Sequence, residues 1–508
     1  MQLAWRRARL ARDPRFDGRF FIAVVTTGIY CRPICPAPSP LERNVRYFAT
    51  AAGAAAAGFR PCLRCHPEVA PGTPAWQGTS ATVSRGLRLI DEHGLDGLRV
   101  EALASSLGIG SRHLHRLFVE HIGASPHDVL HTRRLHLAKQ LLDGTSLPFA
   151  TIASAAGFGS VRRFNAVIRK TWQRTPTAIR QRSASAKPPA YCLRLSYRPP
   201  YDWAAMHRFL AARAIDGIES ADGNTYARSF DLAGTVGMFE VRHDAEHRGF
   251  DVFVSSEDAR VLYRVLARVT HVLDLDADPA VIAAVLGRDS RLSASVRRQP
   301  GLRVPGGWDG FEIAVRAIVG QQASVAGART LLGRMADRFG RRIEVGERQW
   351  RVFPTPDVLA QAPLESLGLT AQRGAALRAL SSAVASGRLN LGRDADPAAT
   401  RDALRAIAGI GPWTTEYIAM RALGDPDAFL AEDLIVARAA GERGRALLQL
   451  SERWRPWRAY AVMHLWMGGG DGTRTDTHVR REPGRAAAAG GSRRGAGSPA
   501  LRVRPQAG

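Results

Sequence analysis

Four of the chain's five cysteines lie in one short segment near its start, and they constrain the fold of that segment more than any other feature. Cys31 and Cys35 form a C-x3-C pair, and Cys62 and Cys65 form a C-x2-C pair. Two short turns that each present two thiols can close a tetrahedral site around a metal ion. The spacing therefore predicts a small domain held together by one zinc ion bound to four thiolates.

This cysteine cluster has two possible roles. Most zinc sites with four cysteine ligands only hold a fold together. However, zinc keeps its sulfur ligands deprotonated at neutral pH, and the thiolate is the nucleophilic form of cysteine. Zinc with four thiolates has a formal charge of about −2, so an exposed sulfur could accept a methyl group and reduce that charge. The residues alone leave both roles open.

The charge of the chain indicates a polyanionic partner. Its 508 residues carry a net charge of +25, almost all of it from arginine. Nucleic acid is the leading partner for such a balance, although arginine-rich composition can also reflect genome bias. The start of the chain has no apolar run long enough to span a bilayer. We therefore expect a cytoplasmic bacterial protein that is associated with the nucleoid and does not contact a membrane. Because thiols stay reduced in the cytoplasm, clustered cysteines there indicate a metal site rather than disulfides.

Changes in sequence character divide the chain into segments. We expect a multidomain, mainly α-helical protein with α+β parts. Runs of strand-like and helical pattern, and stretches rich in Pro, Gly or Ser, set the boundaries. The predicted segments are a small zinc α/β domain at 1–75, a tandem helix-turn-helix domain at 80–182, a linker at 183–190, an α+β subdomain at 191–300, an almost wholly helical domain at 301–470 and a basic, disordered tail at 471–508.

The cysteine segment carries a specific family resemblance. The sequence ARDPRFDGRFFIAVVTTGIYCRPICPAPSPLERNVRYFATAAGAAAAGFRPCLRCHPEVA resembles the N-terminal domain of the Ada adaptive-response regulator. In that family the zinc site takes the methyl group from a methylphosphotriester in DNA. The resemblance implies that Cys31 is the methyl acceptor as well as a zinc ligand, and that Thr27 and Arg60 touch DNA. The sequence PAP at 36–38 stands where the family often has basic residues.

Two similar pairs of helices are predicted next, in EALASSLGIGSRHLHRLFVEHIGASPHDVL and FATIASAAGFGSVRRFNAVIRKTWQRTPTAIR. Each pair has a glycine at the turn, Gly108 or Gly157, and a serine, Ser111 or Ser160, that we expect to cap the second helix. The second pair resembles the AraC-family signature, which implies a transcription activator that binds promoter DNA and contacts RNA polymerase. The second helices carry the arginines expected to contact DNA: Arg112, Arg116, Arg162 and Arg163.

A glycine turn marks the helical C-terminal half. In LRAIAGIGPWTTEY, Gly409 and Gly411 allow a backbone to approach a phosphate, and N–H groups at the start of the next helix, near Thr414, can donate to it. The whole pattern resembles the helix-hairpin-helix of DNA glycosylases. The resemblance therefore implies that these three residues bind the DNA backbone.

The same resemblance points to one carboxylate. In the helix-hairpin-helix glycosylases an aspartate follows the second glycine by about 22 residues, and Asp433 stands at that distance. Its implied role is to stabilise positive charge on the deoxyribose as the N-glycosidic bond breaks. Asp425, Asp427 and Glu432 are the competing carboxylates nearby, and a surface charge is the ordinary alternative for any of them.

The rest of the C-terminal half resembles the AlkA-type 3-methyladenine glycosylases. The resemblance runs through RVPGGWDGFEIAVRAIVGQQASVAGARTLL and ERWRPWRAYAVMHLW, and the region 191–300 matches that family's N-terminal subdomain. It implies that Trp413, Tyr417 and Trp466 form a pocket for a cationic alkylated purine flipped out of the duplex. Core packing is the alternative for these rings. Gln322 stands where the best-known relative inserts a leucine wedge into DNA.

Missing residue types narrow the chemistry further. Bifunctional relatives form a Schiff base with a lysine in the hairpin, but Trp413 holds that position and no lysine follows Lys187. No cysteine follows Cys192, whereas an iron–sulfur cluster needs four. We therefore expect a monofunctional enzyme without an iron–sulfur cluster. Cys192 lacks the Pro-Cys-His-Arg context of an alkylguanine transferase, and we expect it to be a small buried hydrophobic residue.

These observations together predict an alkylation repair and response protein. We expect a monomer that binds double-stranded DNA, both at promoters and at damaged sites, and that excises alkylated purines as a 3-methyladenine glycosylase of type II. The alternative is a transcription regulator whose C-terminal half has lost catalysis and whose zinc site is purely structural.

Overall fold

The computed structural model describes residues 2–72, 81–95, 98–180 and 190–468. The predicted tail at 471–508, and all of the predicted linker except its last residue, lie outside these ranges. Within them, no helix is long and apolar enough to cross a membrane.

The cysteine segment folds around a small sheet whose strand order is β3-β1-β2-β4. The β2 and β4 strands pair in parallel, with Tyr30 opposite Pro61. Because the next residues are Cys31 and Cys62, this register places the first cysteine of each pair side by side. The elements are α1 (Gln2–Leu10), β1 (Phe21–Val24), β2 (Ile29–Cys31), β3 (Val45–Phe48), α2 (Ala51–Ala56) and β4 (Arg60–Pro61).

Two helix-turn-helix units follow. Gly108 and Gly157 have φ of +69° and +73°, as their turns require. Ser160 caps its helix as predicted, since its hydroxyl accepts from the Arg163 N–H. The predicted cap at Ser111 is wrong, because Gly110 takes the extended N-cap conformation and Ser111 is already helical. The elements are α3 (Ala81–His93), α4 (Val100–Ser106), α5 (Ser111–Ile122), α6 (Pro126–Gly144), α7 (Phe149–Ala155), α8 (Val161–Trp172) and α9 (Pro176–Ile179).

The predicted α+β pattern is confirmed by an antiparallel sheet of strand order β5-β9-β8-β7-β6. Cys192 is half-buried rather than buried. It lies on β5, an edge strand of this sheet, and its backbone carbonyl lies close to Gly144 at the end of α6. The elements are β5 (Ala190–Ser196), α10 (Trp203–Arg213), β6 (Glu219–Ser220), β7 (Thr225–Leu232), β8 (Thr235–Asp244), β9 (Gly249–Ser256), α11 (Leu262–Val272), α12 (Pro279–Leu286) and α13 (Ser290–Arg298).

The remaining segment is helical except for one hairpin, which the sequence analysis missed. The strands β10 (Arg341–Val345) and β11 (Arg348–Val352) turn at Gly346, and their inward residues Ile343 and Trp350 pack on the neighbouring sheet. Tertiary packing therefore decides this structure. The helices are α14 (Gly310–Val319), α15 (Val325–Phe339), α16 (Pro356–Gln361), α17 (Ala371–Ala385), α18 (Pro397–Arg405), α19 (Pro412–Arg421), α20 (Leu434–Ala440), α21 (Gly444–Ser451) and α22 (Arg458–Gly468).

Polar contacts join the cysteine segment to the others. The Tyr30 hydroxyl lies 3.1 Å from Nε2 of His136 on α6. Arg19 pairs with the fully buried Asp278 at the start of α12. Arg198 donates to the backbone carbonyls of Gly72 and, at 2.7 Å, of Asp276. These contacts dock the cysteine segment onto both the helix-turn-helix units and the α+β region.

A buried ion network joins the α+β sheet to the helical domain. Arg228 on β7 pairs with Glu312 on α14 and lies 3.1 Å from Glu219. Arg316 lies 2.6 Å from Glu312 and 2.5 Å from Glu219. All four side chains are nearly excluded from solvent, so each charge depends on its partners.

We expect Glu312→Ala to lower the free energy of unfolding by about 3–5 kcal/mol, because it leaves two buried guanidinium groups with too few carboxylates. Urea denaturation followed by tryptophan fluorescence measures this loss. The control is Glu365→Ala, which removes an exposed ion pair with Arg378 and should change stability by no more than about 1 kcal/mol. Equal midpoints for the two variants would contradict a structural role for the network.

Candidate metal centre and candidate active site

The four clustered cysteines converge on one point. The sulfurs of Cys31, Cys35, Cys62 and Cys65 all lie within 4.8 Å of one another, and all four residues are buried. Zinc about 2.3 Å from each of four sulfurs would hold them at comparable separations in a tetrahedron. Four thiols are also the donor set that zinc prefers. The residues therefore fit a single tetrathiolate zinc ion.

Backbone N–H groups and one arginine surround the sulfurs. The Arg32 N–H donates to the Cys65 sulfur at 3.3 Å, and the Arg64 N–H donates to the Cys62 sulfur at 3.4 Å. The buried Arg32 guanidinium also donates to Asp17 at 2.9 Å. These donors offset part of the negative charge of the thiolates. The Ala37 N–H also acts on the Cys35 sulfur, whereas Cys31 accepts no backbone N–H bond from the described residues.

The two residues expected to touch DNA lie at the same end of the small sheet. Thr27 is exposed in the turn between β1 and β2, and Arg60 is half-buried at the start of β4. Arg60 pairs in register with Ile29, just after the exposed turn. Arg12 was not predicted from the sequence, and its exposed side chain donates to the Ala37 carbonyl at 3.0 Å. A basic group therefore stands beside the PAP segment, although none is in it.

The arginines predicted to contact DNA on the second helix of each helix-turn-helix unit are exposed. The apolar sides of α5 and α8 are buried through residues such as Phe118 and Phe164. The opposite sides therefore face solvent and are free to enter a groove. They carry Arg112, Arg116, Arg162 and Arg163.

Asp433 is the N-cap of α20 and is the focus of four hydrogen bonds. Its Oδ1 accepts from the N–H groups of Ile435 and Val436, both at 2.9 Å. Two indole N–H groups also donate to the carboxylate: that of Trp413 to Oδ2 at 3.0 Å, and that of Trp466 to Oδ1 at 3.2 Å. The carboxylate is half-buried, whereas the predicted mechanism assumed a buried one.

The competing carboxylates are occupied elsewhere or exposed. Asp425 lies 2.6 Å from the Arg401 guanidinium, and Asp427 accepts from Arg458 at 2.8 Å. Glu432 is exposed. Among these four carboxylates only Asp433 lines the large cavity of this domain.

That cavity has a volume of about 440 Å³ and brings the three predicted aromatic residues together. The Trp413 and Tyr417 rings are stacked, with centroids 5.1 Å apart and planes inclined by 16°. Trp466 joins them from α22 through its bond to Asp433. The aromatic rings and the carboxylate therefore share one half-open chamber, large enough for a purine base.

The far side of the chamber contains residues that the sequence analysis missed. Arg421 donates to the Tyr417 hydroxyl at 2.7 Å, and its guanidinium lies 4.8 Å from the centre of the Phe209 ring. Burial raises the pKa of Tyr417, but the Arg421 and Arg213 guanidiniums lower it by more. Phe209 and Arg213 lie on α10 and are too remote in sequence for a motif to link them to the hairpin.

The glycine hairpin and the predicted wedge residue are linked by a neighbouring glutamine. Gly409 has φ of +91°, and Gly411 is the N-cap of α19. The Gln321 amide donates to the Gly409 carbonyl at 3.0 Å and to the Thr414 hydroxyl at 2.9 Å. Thr414 is only 2% exposed, so its side chain faces inward, where its hydroxyl accepts from Gln321. Gln322 is exposed, with φ of +52°.

Comparison with known proteins identifies relatives for the cysteine cluster, for the helix-turn-helix units and for the α+β subdomain. Family models match residues 4–68 as the metal binding domain of Ada, 103–182 as a helix-turn-helix domain and 192–309 as the AlkA N-terminal domain. Fold and sites thus define a DNA repair protein fused to a zinc-binding transcription regulator. A Mycobacterium tuberculosis protein, "Probable bifunctional transcriptional activator/DNA repair enzyme AlkA", is 40% identical over 91% of this chain and 95% of its own length. The chain belongs to the family of that bifunctional AlkA protein.

Two relatives from Escherichia coli match separate parts of the chain. DNA-3-methyladenine glycosylase 2 is 37% identical over 54% of this chain and 95% of its own length. The bifunctional transcriptional activator/DNA repair enzyme Ada is 45% identical over 23% of this chain and 32% of its own length. The chain is therefore similar to a regulator in its first part and to a glycosylase in its second.

Proposed function

We propose that the C-terminal half is a monofunctional glycosylase of the DNA-3-methyladenine type II class. The observation that supports it best is the Asp433 carboxylate, which two tryptophan N–H groups orient at the edge of an aromatic chamber. A flipped base that carries positive charge would stack against Trp413 and Tyr417. The relative named DNA-3-methyladenine glycosylase 2 supports the choice of alkylated purines as substrates.

In this mechanism the bond between C1′ of the deoxyribose and the purine nitrogen breaks, and its electron pair leaves with the base. Positive charge then builds on the sugar, and the Asp433 carboxylate stabilises it across the chamber. Water adds to C1′ and loses a proton, which leaves an abasic site. The four hydrogen bonds fix the carboxylate before the substrate arrives, so no reorganisation is needed as the charge develops.

The direct test is release of 3-methyladenine from duplex DNA by the full-length protein. We expect free base and an abasic strand with no strand cleavage, because Trp413 stands at the position of the Schiff-base lysine in bifunctional relatives. Absence of base release would leave only the regulatory reading of the C-terminal half.

We also propose that Cys31 accepts a methyl group from a methylphosphotriester in DNA. A bound zinc ion would keep the four sulfurs deprotonated. The Cys31 sulfur would form a bond to the methyl carbon, and the oxygen of the phosphotriester would leave with the electron pair as a phosphodiester. The relative Ada and the position of Cys31 beside the exposed turn that holds Thr27 support this assignment.

The helix-turn-helix units supply the third proposed activity, sequence-specific activation of transcription. Exposed arginines on α5 and α8 would contact promoter DNA, and the bound protein, a monomer, would recruit RNA polymerase. Transfer to sulfur is irreversible, so the chain would act once as a sensor and repeatedly as a glycosylase. We propose the predicted domain boundaries in the same sense. Residues 1–75 would carry methyl transfer, residues 80–182 promoter binding, and residues 191–300 together with 301–470 base excision.

We expect Gln321→Leu to slow base release by roughly tenfold. The substitution removes two hydrogen bonds that hold the loop containing Gln322 against the glycine hairpin, and each bond is worth about 0.5–1.5 kcal/mol. Single-turnover kinetics on duplex DNA measures the rate. Gln349→Leu, on the exposed face of the β10–β11 hairpin, is the control and should have no effect. A rate equal to that of the wild type would show that base release does not depend on these two hydrogen bonds.

A further inference from the structure

A cavity of about 250 Å³ lies where four parts of the chain meet. The cysteine segment contributes Thr50 and Gly72, and the helix-turn-helix units contribute Arg88 on α3. The α+β subdomain contributes Asp276, and the helical domain contributes Arg393 from the loop between α17 and α18. The cavity is separate from the chamber that contains Asp433 and the aromatic rings, and it plays no part in the proposed base excision.

Two arginines in this cavity differ from those around them. Arg88 and Arg393 form neither an ion pair nor a hydrogen bond with any other described residue, and the Nε of each is buried without a partner. Neighbouring half-buried arginines are paired: Arg133 with Asp91, and Arg401 with Glu416 and Asp425. Both side chains are half-buried at the wall of the cavity, so their guanidinium groups have N–H donors that no described residue accepts.

The two guanidiniums also repel each other. Burial is the main reason that the pKa of Arg88 falls to about 10, and Arg393 and Arg85 lower it further. The α3 helix and the loop that carries Arg393 are held together nearby, because Arg85 donates to the Asp394 carbonyl at 3.0 Å. The fold therefore keeps two like charges close to one cavity, and the carboxylates of Asp394 and Asp425 each raise the pKa of Arg88 by less than either neighbouring arginine lowers it.

The acidic groups of the cavity are already bound to other groups. Asp91 accepts from Arg133 and from the Tyr263 hydroxyl, and Asp276 accepts from the Gly72 N–H at 3.0 Å. Asp274 accepts from the Tyr460 hydroxyl at 2.9 Å, and burial raises its pKa to about 7. Each of these carboxylates therefore already has a partner, and among them Asp276 also attracts the Arg393 guanidinium.

We propose that this junction cavity binds a small phosphate-bearing anion between Arg88 and Arg393. Planar guanidinium groups match the oxygens of phosphate, and two of them suit a doubly charged anion. The volume suits inorganic phosphate or a small phosphate monoester but not a nucleic-acid strand. Bound there, the anion links the helix-turn-helix units to the glycosylase half and stabilises their docking.

The test is thermal unfolding of the full-length protein with inorganic phosphate or glycerol 3-phosphate at constant ionic strength. We expect the wild-type Tm to rise with phosphate concentration, because a ligand that binds only the folded state stabilises it. Arg88→Met and Arg393→Met should keep or raise the Tm without phosphate, since each removes a like-charge repulsion. Both should need at least tenfold more phosphate for the same rise.

The control is Arg334→Met, which removes an exposed arginine on α15 and should respond as the wild type does. A larger rise with glycerol 3-phosphate than with phosphate assigns the site to a monoester, and an equal rise assigns it to the free anion. The proposal is overturned if the wild type does not respond, or if Arg88→Met and Arg393→Met respond as it does. It is also overturned if either variant melts lower without phosphate and keeps the wild-type response, because the arginine is then a structural group.

Discussion

The Asp433→Asn variant is expected to release 3-methyladenine from duplex DNA at least about 10² to 10³ times more slowly than the wild type. The substitution removes the negative charge but keeps the size of the side chain. Its amide oxygen can still accept from the Ile435 and Val436 N–H groups, so α20 keeps its cap. Its NH₂ group, however, would face the indole N–H of Trp413, a contact between two donors.

Single-turnover base release measures the loss, and binding to duplex DNA that contains an abasic-site analogue shows whether the fold and the DNA surface survive. Glu432→Gln is the matched control, because it neutralises the adjacent carboxylate, which is exposed. We expect that variant to be as active as the wild type. A rate for Asp433→Asn within a few-fold of the wild type would mean that another group stabilises the sugar cation.

The sequence was sufficient for features whose residues are close together. The two cysteine pairs each form within a few residues, and one sheet register brings Cys31 and Cys62 together, so spacing alone predicted the zinc ligands. The turn glycines Gly108 and Gly157 were found for the same reason. The wrong cap at Ser111 differs by a single residue, which is the precision that local patterns allow.

The family resemblance placed Trp466 in the pocket, but the contacts between distant residues were not predicted. The Trp466 indole reaches Asp433 from a helix 33 residues further along, and Phe209 reaches the same chamber from another subdomain. The ion pair of Arg19 with Asp278 joins residues that are 259 positions apart. No periodicity encodes such contacts, because they depend on how the segments pack. The β10–β11 hairpin was missed for the same reason, since its stability comes from the sheet that it covers.

The geometry identifies the carboxylate proposed for base excision more clearly than the sulfur proposed for methyl transfer. At Asp433 the hydrogen bonds, the cavity and the state of the competing carboxylates all favour one group. In the cysteine cluster all four sulfurs are similarly buried, so exposure does not identify the acceptor. Hydrogen bonding does distinguish them: Cys62 and Cys65 accept backbone N–H bonds, which reduce the nucleophilicity of a thiolate. The Ala37 N–H acts on Cys35 in the same way, so the difference favours Cys31 among the four sulfurs.

We therefore expect Cys31→Ala to abolish methyl uptake from DNA that contains a methylphosphotriester, because it removes the acceptor sulfur. In the wild type, mass analysis of proteolytic peptides should place one added methyl group on Cys31 and none on Cys35, Cys62 or Cys65. Cys192→Ala is the control, since its half-buried thiol lies on β5 outside the cluster and should not affect uptake. Zinc content measured on each protein separates loss of the acceptor from loss of the metal. Methyl groups on Cys35 of the wild type would move the acceptor within the same pair, and no methylation at all would make the zinc site structural.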